Sequence, residues 1–507
     1  MAAENNYKEL ERSTTTDLSL EAELEELTRQ VSEKSISVDL ATATIRGLSN
    51  NPTLESAYRD IQASEWTKVS KMRGWLPTVS AYGQPAYGLY TSTSGVRYIN
   101  PPKTTAVTST TSTSGTQSEV SGSTSTTSTT SSSLDNPSTT YSNYMYISPY
   151  GFMQWTFFDL QRRSNIRSAQ STIDAKRFIF DTSARNLILN IYEQYYDLQA
   201  TKSLVKQYEG ILEITRRAVT VVNAQRVAGL KDYGDTSQVA TQYYTALNTL
   251  IEAQNEIINK GSQLAKSLGY SDETIVLPNE KLGLAKKWEL TLAESLKLGK
   301  SQNEEILTAI SNAEASKWTS IGLKQSYVPT LYLWAIGYYN RSNGMNSAYV
   351  NRSGASPYNQ INTSSIGQLG IGFTWSFDGG VNLANAQVSK RQMEQYLADA
   401  ESNTNTVVQN IKSSFGQFKS KKIEVKSTKG GLSAAKLSQD VSNAKYQLGL
   451  SDITTLVQSI QLYSNAVKAH VDAISAYNKA ISSLYRWSAV WPESAVSALA
   501  NREEELK

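Results

Sequence analysis

The residue types that carry most enzyme chemistry are nearly missing from these 507 residues: there is one histidine, His470, and no cysteine. Without cysteine there is no disulfide, thiolate metal site or thiol nucleophile, a usage compatible with an oxidising compartment. One imidazole cannot build a histidine metal cluster within a chain, so His470 reads as a polar position on a helix face. No Ser/His/Asp arrangement stands out, and Gly379-Gly380 lacks the lysine of a phosphate-binding loop. The expectation is a chain that is not an enzyme and has no cofactor or metal. Its net charge of +3, with acids and bases interleaved, argues against nucleic acid as a partner. Tyrosine is abundant, at 29 against 9 phenylalanines, which suits membrane–water interfaces.

The elements are organised by a stretch that occurs twice. Asn51-Pro52-Thr53-Leu54 leads through Ala63-Ser64-Glu65-Trp66-Thr67 to Trp75-Leu76-Pro77-Thr78-Val79. Asn303-Glu304-Glu305-Ile306 leads through Ala315-Ser316-Lys317-Trp318-Thr319 to Tyr327-Val328-Pro329-Thr330-Leu331, and each residue falls 252 positions after its partner, as Pro329 does after Pro77. This is an internal duplication. Pro77 and Pro329 cannot continue a helix and push the preceding residue towards extended geometry. Each unit is thus a helix that stops at a proline and becomes a strand, with Trp66 and Trp318 expected to pack among helices.

Each half then follows one pattern. In the first, strands are expected over 78–90 and 144–158, separated by a Ser/Thr-rich exposed loop over 91–142. A proline-free helix follows from Leu160 to about Val227, its apolar stripe at the coiled-coil period from Ile166 to Val222. Gly229 is placed as its C-cap, and Asp235 or Ser237 as the N-cap of a return helix lasting to about Leu268. The second half gives strands over 330–339 and 365–377, a loop over 340–364, a helix from Val381 to about Leu448 closed by Gly449, and a return helix to about Trp487. Strand 365–377 alternates most clearly, with Leu369, Ile371, Phe373, Trp375 and Phe377 on one face and Gln368, Gly370, Gly372, Thr374 and Ser376 on the other. The flanking pieces are a polar extension over 1–36, a connector over 271–300 and a tail over 491–507 with a solvated charged end. No stretch approaches the roughly 20 apolar residues of a transmembrane helix. Met1–Glu11 lacks a signal-peptide pattern, so either a signal was removed and an initiator Met added, or the protein is cytosolic.

Four strands cannot close a barrel, and lipid tolerates no open edge. Several chains together could close one, with the apolar face of 365–377 towards lipid and its small polar face towards a lumen. A soluble sheet covered by helices fits the alternation equally, but does not need helices of such length.

In this order, twice, the motifs resemble the TolC-type outer-membrane efflux and secretion channels of Gram-negative bacteria, over roughly residues 36–490. The markers are Ser37-Val38-Asp39-Leu40-Ala41 with Asn51-Pro52-Thr53-Leu54, the junctions Leu76-Pro77 and Val328-Pro329, and the returns Phe157-Phe158-Asp159 and Ser376-Phe377-Asp378-Gly379-Gly380. The turns Arg226-Val227-Ala228-Gly229-Leu230 and Tyr446-Gln447-Leu448-Gly449-Leu450 complete the set. The resemblance implies an α+β membrane protein and a homotrimer, each protomer giving four strands to a twelve-stranded barrel in outer-membrane lipid. The long helices would continue as a periplasmic α-helical barrel. It implies an exit duct for efflux or type I secretion, driven by an inner-membrane transporter through a periplasmic adaptor. A non-channel coiled-coil spacer of the periplasm is the alternative.

The resemblance also assigns residues. Val227, Ala228, Gly229, Leu230, Leu448, Gly449 and Leu450 match adaptor-contacting tips. Tyr446 and Asp235 match a pair that ties the closed aperture, expected as a phenol–carboxylate hydrogen bond. Ser451, Thr455 and Gln458 stand where well-studied members carry an arginine and two aspartates, so charge selectivity at the aperture is expected to be weaker, with Asp452 or Asp232 a partial substitute. Trp75, Tyr327, Trp155 and Trp375 are expected in the aromatic belt beside the helix-to-strand junctions at Pro77 and Pro329.

Overall fold

The computed structural model describes residues 18–96, 135–270, 274–350, 353–354 and 358–496. In chain order the first half contains α1 (Leu18–Glu33), β1 (Ser35–Val38), α2 (Leu40–Asn50), α3 (Pro52–Arg73), β2 (Thr78–Val96), β3 (Asp135–Phe158), α4 (Leu160–Val227) and α5 (Tyr233–Ser267). Next come β4 (Ile275–Pro278), α6 (Leu292–Gln302), α7 (Glu304–Gln325), β5 (Thr330–Val350), β6 (Ser353–Gly354), β7 (Tyr358–Thr374), α8 (Val381–Gln447) and α9 (Ile453–Trp487). The chain divides into two compact units, one drawn from 1–68, 166–320 and 385–507, the other from 69–165 and 321–384. Each unit takes segments from both repeats.

The duplication is visible residue by residue. α3 and α7 are both 22 residues long, and in each case four residues separate the last helical residue from the strand. Equivalent asparagines begin them. Asn51 Oδ1 accepts from the Thr53 and Leu54 amides, and Asn303 Oδ1 from the Glu305 amide, satisfying donors that a helix start leaves unpaired.

The helical unit is held by apolar stripes. On α4, Ile173, Ala184, Ile191, Leu198, Val205, Val219 and Val222 are buried, mostly at steps of seven or multiples of it. Val239, Tyr243, Leu247, Leu250 and Ile257 of α5 share a core with the distal part of that stripe. Leu456 and Ile460 of α9 join it. Each such side chain contributes about 1.5–3 kcal/mol on burial. α8 differs: much of its buried side is small or polar, including Ala386, Ser389, Ser414 and Ser442, while Leu397, Ile423 and Leu437 stay exposed. β1 and β4 form a short parallel pair that ties the connector to the start of the first repeat.

In the second unit the long strands run β2-β3-β5-β7, every neighbouring pair antiparallel, with β6 a short extension at β5. Single-chain edges remain at β2 and β7.

Several expectations are corrected. The strands extend to 78–96, 135–158, 330–350 and 358–374, so the loops expected over 91–142 and 340–364 are shorter than their composition suggested. Thr91, Ser92 and Thr93 pair with Tyr141, Thr140 and Thr139, because hydroxyl side chains do not weaken a backbone ladder and β-branched Thr favours one. Pro85 does not break β2, since it lies on the edge strand where a missing donor is tolerated. Strand β7 ends at Thr374, leaving Trp375 and Phe377 beyond it. The connector holds the unforeseen helix α6, which starts with a capping box between Thr291 and Glu294. Within the polar extension, the amphipathic spacing of Leu18, Leu20, Leu24, Leu27 and Val31 does form a helix, α1, whose Leu24 and Val31 pack onto the α4–α5 core. Residues 97–134 and the charged end of the tail lie outside the described residues.

One prediction separates the two caps. Asn51 also donates through Nδ2 to the Ser267 carbonyl at 3.1 Å. Asn303→Ala should destabilise by about 1 kcal/mol, and Asn51→Ala by about 1 kcal/mol more, read as a lower unfolding midpoint in detergent. Equal losses would contradict the extra tie.

Candidate functional site

Three places collect the candidate residues: the two helix turns, the two helix-to-strand junctions, and the faces of the four-stranded sheet.

The turns are built alike. Gly229 and Gly449 have φ of +75° and +71°, a conformation that costs glycine nothing. In each, the glycine amide donates back three residues (to Arg226 and Tyr446) and the following leucine back five (to Gln225 and Lys445), closing a Schellman motif. Two residues further on, Asp232 and Asp452 cap the return helices through the amides of Asp235 and Thr455, at 2.9 and 2.8 Å. The pattern Gly-Leu-x-Asp therefore stops one helix and starts the next, and it occurs in both repeats. The expected caps Asp235 and Ser237 are thus corrected to Asp232, whose side chain reaches forward where theirs would already lie inside the helix. Hydrogen bonding from Thr455 holds the Asp452 carboxyl below its ordinary range. Val227, Leu230, Leu448 and Leu450 are 73–81 % exposed, and Ala228 is exposed beside them.

The expected Tyr446–Asp235 bond is not formed within the chain. The Tyr446 hydroxyl donates to Gln225 Oε1 at 2.9 Å, linking α8 to α4 just before their turns. Asp235 instead pairs with Lys231 at 3.1 Å, and the Lys231 ammonium lies 5.9 Å from the Tyr446 ring centre. A carboxylate prefers the neighbouring ammonium to a phenol that has a neutral acceptor at hand. Burial first, and the charge of Asp235 second, push the Tyr446 pKa up. Thr455 and Gln458 lie exposed on one face of α9, with Ser451 half-buried in the turn before it.

At the junctions the two repeats make the same bond. Pro77 and Pro329 each stand immediately before the first strand residue. The Trp155 indole donates to the Trp75 carbonyl at 2.9 Å, and the Trp375 indole to the Tyr327 carbonyl at 3.1 Å. Both acceptors lie two residues before a junction proline, so each returning strand is tied to the turn that started its hairpin. The side chains then diverge: Arg162 covers the Trp75 ring at 4.5 Å, whereas the Tyr327 hydroxyl donates to Asp378. Asp159 and Asp378 also cap the long helices that follow, through the amides of Arg162 and Asn382. Trp66, expected among packed helices, is instead 66 % exposed in the single chain, while Trp318 is half-buried beneath Arg167.

Between the register shifts at the two ends of β3, the ladders pair odd with odd and even with even residues, so the alternation continues across the sheet. One face presents Val79, Leu89, Leu369, Ile371 and Phe373, all 70–79 % exposed. On β5 this face runs Leu331, Leu333, Ala335, Gly337 and Tyr339 before its first charge, Arg341. That is about 26 Å of strand, close to the height of the apolar band of outer-membrane barrels. The opposite face differs from the small polar wall expected from 365–377. On β2, β3 and β5 it carries Tyr82, Tyr144, Tyr146, Tyr150, Phe152, Tyr332, Trp334 and Tyr338. Aromatic residues on one face and apolar ones on the other blur the period, which is why only β7 alternated clearly in sequence.

A pH test follows from Tyr446. Its folded pKa lies above the unfolded value of about 10. The tyrosine therefore contributes stability in full below that pH, and loses it as pH rises through the folded pKa. The wild type should lose more unfolding temperature between pH 9 and 12 than Tyr446→Phe; identical slopes would contradict this.

Residues 46–270 match the family model described as outer membrane efflux protein. Outer membrane protein TolC of Escherichia coli (strain K12) is 23 % identical over 335 residues, covering 65 % of this chain and 66 % of that one. The chain thus spans just under two-thirds of this curated relative's length in the match. Among solved structures, the Campylobacter jejuni CmeC outer membrane channel superposes with a TM-score of 0.67 at 13 % identity, covering 92 % of this chain and 89 % of that one. The outer-membrane channel OprN gives a TM-score of 0.63 at 16 % identity, covering 89 % of each chain. No helix among the described residues is long and apolar enough to cross a membrane. In sequence through the first repeat, and in fold over some nine-tenths of its length, the chain is similar to TolC-type outer membrane efflux proteins.

Proposed function

We propose that this chain is one third of a homotrimeric outer-membrane exit duct, in which three four-stranded sheets close a twelve-stranded barrel and the long helices extend into the periplasm. The observation that carries the reading is the sheet: its outward face is apolar over the thickness of a membrane, yet its two edge strands have no outer partner among the described residues. In lipid every strand must be paired, so neighbouring chains supply the missing ladders. The exposed Leu397, Ile423 and Leu437 of α8 support close neighbours along the helices too. A helical spacer without a channel would leave the apolar sheet face unused.

The duct is passive and has no catalytic role. The Gly229 and Gly449 turns present Val227, Leu230, Leu448 and Leu450 to a periplasmic adaptor, which couples the channel to an inner-membrane transporter in a tripartite efflux or type I secretion system. Apolar tips held by Schellman turns suit a docking contact, because little backbone freedom remains to be lost. Near the tips, the Tyr446–Gln225 bond holds α8 against α4, and the Lys231–Asp235 pair flanks it. Adaptor engagement breaks this link and lets the helix pairs part. With Ser451, Thr455 and Gln458 uncharged, the aperture discriminates little between ions.

Reconstitution in planar bilayers tests the channel, together with sizing in detergent. The expected result is a trimer with discrete conductance steps; a monomer that partitions into water and conducts nothing would sink the proposal. For the gate, Gln225→Ala combined with Tyr446→Phe should raise the conductance of an intact trimer, whereas an unchanged conductance would show that this bond does not hold the aperture.

A further inference from the structure

The inner face of the sheet is unusual in two ways. It carries no charge on any described strand residue whose side chain is placed, from Thr78 to Ser92, Thr140 to Thr156, Thr330 to Gly344 and Tyr358 to Thr374. It is also crowded with aromatic rings. Tyr82, Tyr150 and Tyr338 stand opposite one another on β2, β3 and β5, forming one row across three strands. The Tyr82 and Tyr150 rings are stacked at 5.6 Å, and Tyr150 stacks on Phe152 at 6.4 Å.

Glycines decide how other rings lie. Gly372 is paired with Tyr332 and Gly370 with Trp334, while Gly88 is paired with Tyr144. A Cβ at Gly372 would come within 2.6 Å of the Tyr332 ring, one at Gly370 within 2.9 Å of the Trp334 indole, and one at Gly88 within 2.8 Å of the Tyr144 ring. Each ring therefore lies down over its glycine, as cross-strand aromatics do when they cover a bare backbone. A ring laid against the wall turns one π face to the space above it. Glycines on the outer face (Gly83, Gly337 and Gly367) carry no ring, so the seats belong to the inner face alone. Exposure alternates along β3, with Tyr144, Tyr146 and Tyr150 less exposed than Met145 and Ile147.

We infer that the barrel wall is itself a binding surface, one that retains organic cations bearing an aromatic or methylated apolar body. The negative faces of tyrosine and tryptophan rings attract such cations, and with no competing charge on the wall that attraction sets its preference. Three protomers would triple the row of three tyrosines. Weak contacts repeated along the bore suit a duct, which must hold cargo enough to admit it and release it readily. The inference rests on the barrel reading above, and the test keeps the two apart.

The test uses the full-length trimer in planar bilayers, with benzyltrimethylammonium and benzenesulfonate as probes. They share a ring and differ in charge. Benzyltrimethylammonium should block the open current in a saturable way at concentrations roughly tenfold below any block by benzenesulfonate. Trp334→Ser with Tyr150→Ser and Tyr338→Ser should weaken that block by roughly tenfold while keeping the unit conductance. Phenylalanine at the same three positions should preserve most of it. A conducting wild-type channel that both probes block equally, or a serine variant blocked as the wild type is, would overturn the inference while leaving the channel reading standing. A wild type that never conducts would overturn the channel reading instead. If the serine variant does not conduct, the wild-type comparison of the two probes and the phenylalanine variant still decide the outcome.

Discussion

A four-stranded sheet has two edges, and a bilayer offers hydrogen bonds to neither. In β2 and β7 nearly every second amide and carbonyl points out of the chain, and each one left unpaired in hydrocarbon would cost several kcal/mol. Most of what is unusual about this chain follows from that constraint. It accounts for the duplicated hairpin, since two copies of one unit give an even number of antiparallel strands. It accounts for the apolar outer face, for junctions that hold each hairpin to its helix, and for the helix surface that remains apolar on α8. The fold suits one part of the closed barrel proposed above.

The junction is where two kinds of regularity have to meet. A helix satisfies its own backbone, a strand cannot, and the change between them leaves loose ends at each proline. The indole bonds from Trp155 to the Trp75 carbonyl and from Trp375 to the Tyr327 carbonyl close those ends in both repeats. Each contributes about 1 kcal/mol, and each fixes where the returning strand may end. Duplication preserved this bond while the ring beside it changed from tryptophan to tyrosine. The carbonyl, not the ring, is what the geometry uses. This also explains why these residues sit at the junction whether or not lipid touches them.

Much of this was legible in the sequence. The 252-residue repeat, the stop at each proline, the full extent of α4 and the glycine turns follow from residues whose backbone preferences are strong. Other features were not legible for physical reasons. Ser and Thr at the outer ends of the strands look like loop by composition, although the ladder depends on backbone rather than side chains. The capping box Thr291–Glu294 is a readable signal for α6, but an eleven-residue helix carries too few turns for its apolar period to stand out. Asp232 and Asp235 differ by one helical turn, and only geometry shows which one reaches the free amides. The partner of Tyr446 could not be read at all, because Gln225 lies 221 residues away on another helix. The aromatic inner wall was hidden by its own abundance, since a period of two vanishes when both faces are hydrophobic.

The central claim is that β2 of one chain pairs with β7 of the next, three times round. The absence of cysteine makes this directly measurable, because every thiol introduced is the only one of its kind. Single cysteines placed along β2, at Ser80 and Gln84, can be combined with single cysteines along β7, at Ser364 and Gln368, and oxidised in the native membrane. The account predicts that some combination gives a ladder of one, two and three covalently joined chains and nothing larger. If no combination joins chains, or if the products continue beyond three, the sheet does not close in the way its edges require.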